Sequence, residues 1–241
     1  MTIGEVIGEA LDGAVRRAKI EGGALTAHVL SWGAVVQDLR LDGHAPPLVL
    51  GFERFEDYPR YSPYFGAIAG RCANRIANAS FVLDGHKYLL DANFLGKHQL
   101  HGGSKGFGKR VWSFVDHGAD FVTLEFVSED GDMGCPGRLT ARCTYRLKGE
   151  RTLSVELTAE TEAPTICNFA QHSYFNLDDG GATPVLDHQL EIAAESYLPV
   201  DDEMIPTGEV RPVEGTEFDF RSPRTIRCER DGEQVLYDHN F

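Results

Sequence analysis

At 241 residues, with 42% hydrophobic, 10% aromatic and 25% charged residues, the chain has the make-up of an ordinary globular protein with enough material for a real core. A formal charge of −14 and the lack of any Lys/Arg cluster exclude a binder of phosphate backbones, so no nucleic-acid partner is expected. No apolar run approaches a membrane span, and five scattered cysteines without a CxxC exclude a disulfide framework and a zinc knuckle; with Glu5 and Glu9 in place of a basic, apolar leader, a cytoplasmic protein without membrane contact is expected.

In chain order, the first pattern is helical. Ile3, Val6, Ile7, Ala10, Leu11, Ala14, Val15 and Ala18 recur at the spacing of one helix face, although Gly4, Gly8 and Gly13 weaken such a helix. "ALTAHVLS" and "AVVQDLRL" then read as strands. In "FVLDGHKYLL", Asp84-Gly85 can take the positive φ angles of a two-residue hairpin turn between two β-prone runs. "DFVTLEFVS", "RLTARCTYRL" and "TLSVELTAE" alternate with period two, which predicts an antiparallel meander, and "LDHQLEIAA" adds a further strand. Gly and Pro are spread evenly and no period repeats, so residues 1–241 are expected to form a single domain.

Four places put ionisable side chains among glycines and aromatics. In "GRCANRI", Arg71 and Arg75 are four apart; either is a surface arginine or a fork for a carboxylate or sugar hydroxyls. In "KHQLHGGSKGFGKRVW", His98 and His101 are three apart, a spacing that converges on one metal ion only in a helix, whereas Gly102-Gly103 argue for a loop; no metal is expected. In "NFAQHSYFNL", His172 sits in aromatic company, as a hydrogen-bonded core residue or as a proton-transfer group with an ordinary pKa of about 6.5. The fourth is "VLYDHNF", with Asp238 and His239. Phosphate loops, GxSxG and HExxH are lacking, and aromatic faces combined with fixed polar groups suit sugars.

Taken together, "LGF", "YFG", "GR.ANRI", "F.LDG..Y.L..N", "LHGG" and "GF...VW", followed in order by "SEDGDMGCPG", "QHSYFNL", "YLPVD...IPTGE", "GT.FDFR" and "YDHNF", resemble the aldose 1-epimerase (galactose mutarotase) family from about Leu30 to Phe241. The resemblance implies an all-β fold, a large antiparallel β-sandwich with a sugar cleft on one face. It also makes "VRRAKIEGGALTAHVLSW" strand, turn and strand, which confines the helical reading to the residues before it. It further implies interconversion of the α and β anomers of free aldohexoses such as glucose or galactose, with no cofactor.

Carried over, His172 looks like the general acid that protonates the ring oxygen, His101 like the second active-site histidine, Asn74 and Arg75 like the substrate-binding pair, and Asp238 like the aspartate that binds sugar hydroxyls. His98 has no role, and Gln171 stands where many members have Asn. The general base of the family is a glutamate in a segment beyond the match to "YDHNF". The expectation is therefore a C-terminally incomplete sandwich, cut before its last strands, that binds sugar weakly and catalyses poorly. Two alternatives stay open: a non-catalytic sugar-binding domain of the same fold, and a hexose-phosphate epimerase, for which Arg71, Arg75, Lys105, Lys109 and Arg110 are the local candidates. Preferred sugar and oligomeric state are not legible in such motifs.

Overall fold

Residues 3–61 and 64–241 are described by the computed structural model. They form two compact units, Met1–Gly180 and Gly181–Phe241.

The first unit begins with β1 (Glu5–Ala10), β2 (Gly13–Gly22), β3 (Leu25–Leu30) and β4 (Val36–Leu41), an antiparallel sheet in that order. The helical reading of the N-terminal stretch is thus corrected: it is a hairpin turning at Leu11-Asp12, with Ala10 opposite Gly13 and a bulge between Val6 and Gly8. The misleading period has a physical cause. Val15 and Ala18 are an odd number of residues apart, so they face opposite sides of β2 and enter different cores. Val15 joins Leu30, Trp32, Val35, Phe55 and Tyr58, whereas Ala18 and Ile20 join the main core. A strand that feeds two cores mimics the spacing of a helix face.

Short elements follow: the five-residue helix α1 (Asp57–Tyr61), β5 (Ile68–Ala69), β6 (Arg75–Ile76), β7 (Ser80–Leu83), β8 (His86–Leu89) and β9 (Gln99–Leu100). The hairpin expected at Asp84-Gly85 is present. Leu83 pairs with His86, and both turn residues have positive φ (50° and 77°), as a type I′ turn requires. β10 (Ser113–His117), β11 (Phe121–Ser128), β12 (Leu139–Lys148) and β13 (Thr152–Thr161) then make the expected meander, a second four-stranded antiparallel sheet.

The two sheets bury their apolar faces together, which makes this unit a sandwich. Ala18, Ile20, Ala27, Val29 and Val36 of the first meet Val122, Leu124, Ala141, Cys143 and Tyr145 of the second in one cluster. Tyr145, fully buried on β12, donates its hydroxyl to the carbonyl of Ala34 at 2.7 Å and so satisfies the polar end of a large core side chain. The unit closes with β14 (Ala170–Gln171), which pairs with β5.

In the second unit, the strand expected at "LDHQLEIAA" contracts to β15 (Gln189–Leu190), because residues 185–187 take a 3₁₀ turn. β16 (Ser196–Tyr197) pairs with β17 (Arg211–Pro212), and β15 with β18 (Arg224–Thr225). The core here is aromatic: Tyr197 stacks on Phe218 at 4.3 Å, and Tyr237 meets both Phe218 (5.7 Å) and Phe220 (5.0 Å) edge-on. Among the described residues, no helix is long and apolar enough to cross a membrane.

Replacing Tyr145 by Phe leaves the buried Ala34 carbonyl without its donor and is expected to cost about 1–2 kcal/mol, measured as a lower urea midpoint at unchanged m.

Candidate active site

Two short ladders build the site of the first unit. β5 and β14 align Ile68 with Gln171, and the pairing continues as His172 donates its backbone N–H to Ala67 (2.8 Å) and its carbonyl accepts from Gly66 (3.1 Å). His172 is thereby fixed beside Tyr64. β6 and β9 align Arg75 with Leu100, which sets Asn74 beside His101.

Asn74 and His101 then bond each other twice. The His101 N–H donates to the Asn74 carbonyl (2.9 Å), and the Asn74 N–H donates to Nδ1 of the His101 ring (3.0 Å). Both residues lie in the left-handed region, with φ of 60° and 49°, where Asn and His are among the better-tolerated side chains. The next residue explains the glycines of "LHGG": a Cβ on Gly102 would stand 1.7 Å from the carbonyl oxygen of Gly70, so only glycine lets this turn press on the chain just ahead of Arg71.

With Nδ1 accepting, the proton of neutral His101 sits on Nε2, which becomes a fixed donor. Burial, followed by the charges of His172, Arg75 and Lys109, pushes the His101 pKa down to about 4, so the ring is neutral at pH 7. The His172 ring stands across it, 4.9 Å away at 86°. Tyr64 touches both, 4.7 Å from His101 and 5.8 Å from His172, with which it stacks at 27°; the Lys109 ammonium lies 5.2 Å from the Tyr64 ring. Arg75 donates to Oδ1 of Asn74 (3.1 Å) and covers the Phe94 ring at 4.7 Å.

Four of the five expected residues, Asn74, Arg75, His101 and His172, are therefore gathered in the first unit. Asp238 belongs to the second, where it is exposed, while the next residue, His239, packs on Phe218 at 4.5 Å and has its pKa lowered by burial. Tyr64 carried no role in the sequence reading, and Lys109 only one as a phosphate-binding candidate. "YFG" and "GF...VW" flagged their neighbourhoods, and the role lies in ring contacts that no local pattern encodes.

The paired candidates separate cleanly. His98 is 2% exposed and its Nδ1 accepts the Asn78 N–H (2.9 Å), so it fastens a turn. Arg71 is 3% exposed and donates to the Ser128 hydroxyl (2.8 Å), Thr165 (3.1 Å) and the carbonyls of Pro136 (2.8 Å) and Glu129 (3.1 Å). It joins the segment after β5 to the loops that follow β11 and β13. Among the described residues, no group of three or more His, Cys, Asp or Glu converges as a metal-ligand set.

Arg71→Met removes every one of those donors and is expected to destabilise the protein by about 3–5 kcal/mol in urea unfolding. For His101, the folded pKa lies below the unfolded one, so the unfolded state binds more protons between pH 6.5 and about 4. Stability is expected to fall as pH drops through that window and to level off below it, and His101→Gln should flatten that limb in urea midpoints taken from pH 7 to pH 4.

Comparison with known proteins follows the same lines. Galactose mutarotase of Rattus norvegicus is 40% identical over 235 residues, covering 95% of this chain and 67% of its own, and aldose 1-epimerase of Escherichia coli K12 is 39% identical over 221 residues, covering 88% and 63%. Among solved structures, an aldose epimerase homologue from C. elegans superposes with a TM-score of 0.81 at 34% identity, over 88% of this chain and 66% of its own. Galactose 1-epimerase from Lactobacillus acidophilus gives 0.82 at 28%, over 92% and 66%. The chain thus spans about two thirds of the length of these relatives. A family model described as aldose 1-epimerase matches residues 16–241, a span that holds every motif and every side chain assembled above, and the chain belongs to that family.

Proposed function

We propose that the chain serves as an aldose 1-epimerase acting on free aldohexoses such as glucose or galactose. The observation that carries this reading is the right-angled histidine pair, in which one ring is locked as a neutral donor. Mutarotation requires the anomeric hydroxyl to lose a proton while the ring oxygen gains one. The bond from the anomeric carbon to the ring oxygen then breaks, the aldehyde turns about its first carbon–carbon bond, and the ring recloses on the other face with the transfers reversed.

His172 delivers the proton to the ring oxygen in this reading. His101 donates from Nε2 towards the same oxygen and does not itself titrate near neutrality. Asn74 and Arg75 bind hydroxyls, and the Asn74–Arg75 and Arg75–Phe94 contacts support their preorganisation. The motif "YDHNF" supports a hydroxyl-binding role for Asp238. These residues supply the acid half of the reaction, and the proton that leaves the anomeric hydroxyl passes to solvent water.

A family match that runs through both compact units supports treating residues 1–241 as one functional domain. Five free thiols, three of them buried, support a reducing compartment such as the cytoplasm. The hexose-phosphate alternative is disfavoured by charge. Lys105, Lys109 and Arg110 line a cavity of about 900 Å³ together with Glu9, Asp12 and Asp132, and Arg110 is already paired with Asp12 at 3.0 Å. Its cations and anions balance, which suits a dianion poorly.

Saturation-transfer NMR of glucose or galactose tests the proposal. Anomer exchange should be accelerated by the protein and slowed about 10²- to 10⁴-fold in His172→Ala. An unchanged rate in that variant, or sugar resonances perturbed without faster exchange, would overturn it, the latter in favour of a non-catalytic sugar binder.

A further inference from the structure

The two rings of the histidine pair are held by different means. His101 is oriented by the hydrogen bond that its Nδ1 accepts from Asn74. Among the described residues, no hydrogen bond or ion pair reaches the His172 ring, and its surroundings are other rings. Besides Tyr64 and His101, that ring meets Tyr174, two residues further along its own segment, at 5.1 Å with 31° between the planes. Tyr64 and Tyr174 both lie near-parallel to the imidazole, whereas His101 stands at 86° to it.

Tyr174 is itself braced from behind. Its carbonyl accepts the Leu50 N–H (2.8 Å), and its ring leans on Phe65 (4.9 Å), which stacks on Phe52 at 5.4 Å and 16°. Phe52 in turn meets the fully buried Tyr58 edge-on at 5.2 Å. A row of rings thus runs from the core around Tyr58 to His172. Tyr174, 43% exposed at the end of that row, is not needed to fill the core, so a role for its ring lies with His172.

Charge gives that role its content. The titratable and charged groups around His172 are Tyr64, His101, Lys109 and Arg75 on facing segments and Tyr174 on its own. Lys109 and Arg75 both act against a proton on His101, and Lys109 lies over the Tyr64 ring that stacks on His172. A protonated imidazole here joins cations with no carboxylate paired to it among the described residues. The electron-rich face of a tyrosine attracts a cation within about 6 Å of its centre, and both tyrosines lie inside that limit.

We propose that Tyr174 is a positioning residue for His172: its ring face sets the plane of the imidazole and supports the imidazolium that gives up the proton. The proposal rests on the reading of His172 as the proton donor. The ring is what acts, and the phenol hydroxyl takes no part.

Two substitutions in the whole chain separate ring from hydroxyl. Tyr174→Leu removes the ring, and Tyr174→Phe keeps it. The Cε1 proton resonance of His172, assigned by its loss in His172→Ala, should move in Tyr174→Leu and hold its place in Tyr174→Phe. Saturation-transfer NMR of galactose anomers should show kcat reduced about 2- to 30-fold in Tyr174→Leu, the range of one ring–cation contact, at unchanged KM. The alkaline fall of kcat should move to lower pH in that variant, because the donor is held less firmly in its protonated form. Tyr174→Phe should recover the parent rate and pH profile. Phe65→Leu, which withdraws the ring behind Tyr174, should give a smaller loss of the same kind and carries the test if Tyr174→Leu does not fold. The proposal falls if Tyr174→Leu keeps the parent rate and profile, if Tyr174→Phe loses as much, if the loss is confined to KM, or if the His172 resonance does not move. Failure of the proton-donor reading shows separately, as anomer exchange unchanged in His172→Ala.

Discussion

The bond on which the site depends is the one from the Asn74 backbone N–H to Nδ1 of His101. A ring nitrogen that accepts a main-chain hydrogen cannot carry its own proton, so this 3.0 Å contact decides tautomer, orientation and charge at once. Burial and neighbouring cations push the same way. The contact in turn requires Asn74 and His101 to hold left-handed backbone, and it requires a glycine at 102 that can lie against the Gly70 carbonyl. The motifs "GR.ANRI" and "LHGG" are two halves of one interlock.

Cations close to one another in sequence divide the labour around that interlock. Arg71 is buried among neutral oxygens and ties three loops of the sandwich, while Arg75, four residues on, is held by Asn74 and Phe94. Arg110 is matched by Asp12 and Asp132, whereas Lys109 lies over Tyr64 and adds positive charge near the histidines. Lysine and arginine differ here as their chemistry dictates: the planar forks of Arg71 and Arg110 build structure and the point charge of Lys109 sets a field. Phe107, wedged among Trp112, Phe126 and Phe169, anchors the turn that carries Lys109 to the sandwich core.

Much of the sandwich was legible because its local rules agree. Asp84-Gly85 has the chemistry of its turn, and β11 and β12 at the centre of the meander alternate with period two. The N-terminal stretch misled because β2 faces two cores, which destroys the alternation that identifies a strand. "LDHQLEIAA" misled because a 3₁₀ turn takes its first two residues and only Gln189–Leu190 pair. At the site, residue type alone left His98 beside His101 and Arg71 beside Arg75, and the family resemblance favoured His101 and Arg75. Burial and bonding partners give the physical difference between the members of each pair, and both come from residues distant in sequence. Tyr64 is the extreme case, since its contacts are rings contributed by positions 101 and 172.

The pairing of β5 with β14, in which Ala69 faces Ala170, also orders events in time. Hairpins such as β7–β8 and the β10–β13 meander close short local loops, from two residues at Asp84-Gly85 to the 129–138 connection, whereas this ladder must first gather the whole intervening chain, and contacts of long sequence separation form late and slowly. His172 meets Tyr64 and His101 only through that last closure. A chain folding from the unfolded state would therefore acquire most of its sheet before its histidine pair exists, and any partly folded species lacking the β5–β14 ladder would be compact, rich in strand and chemically silent.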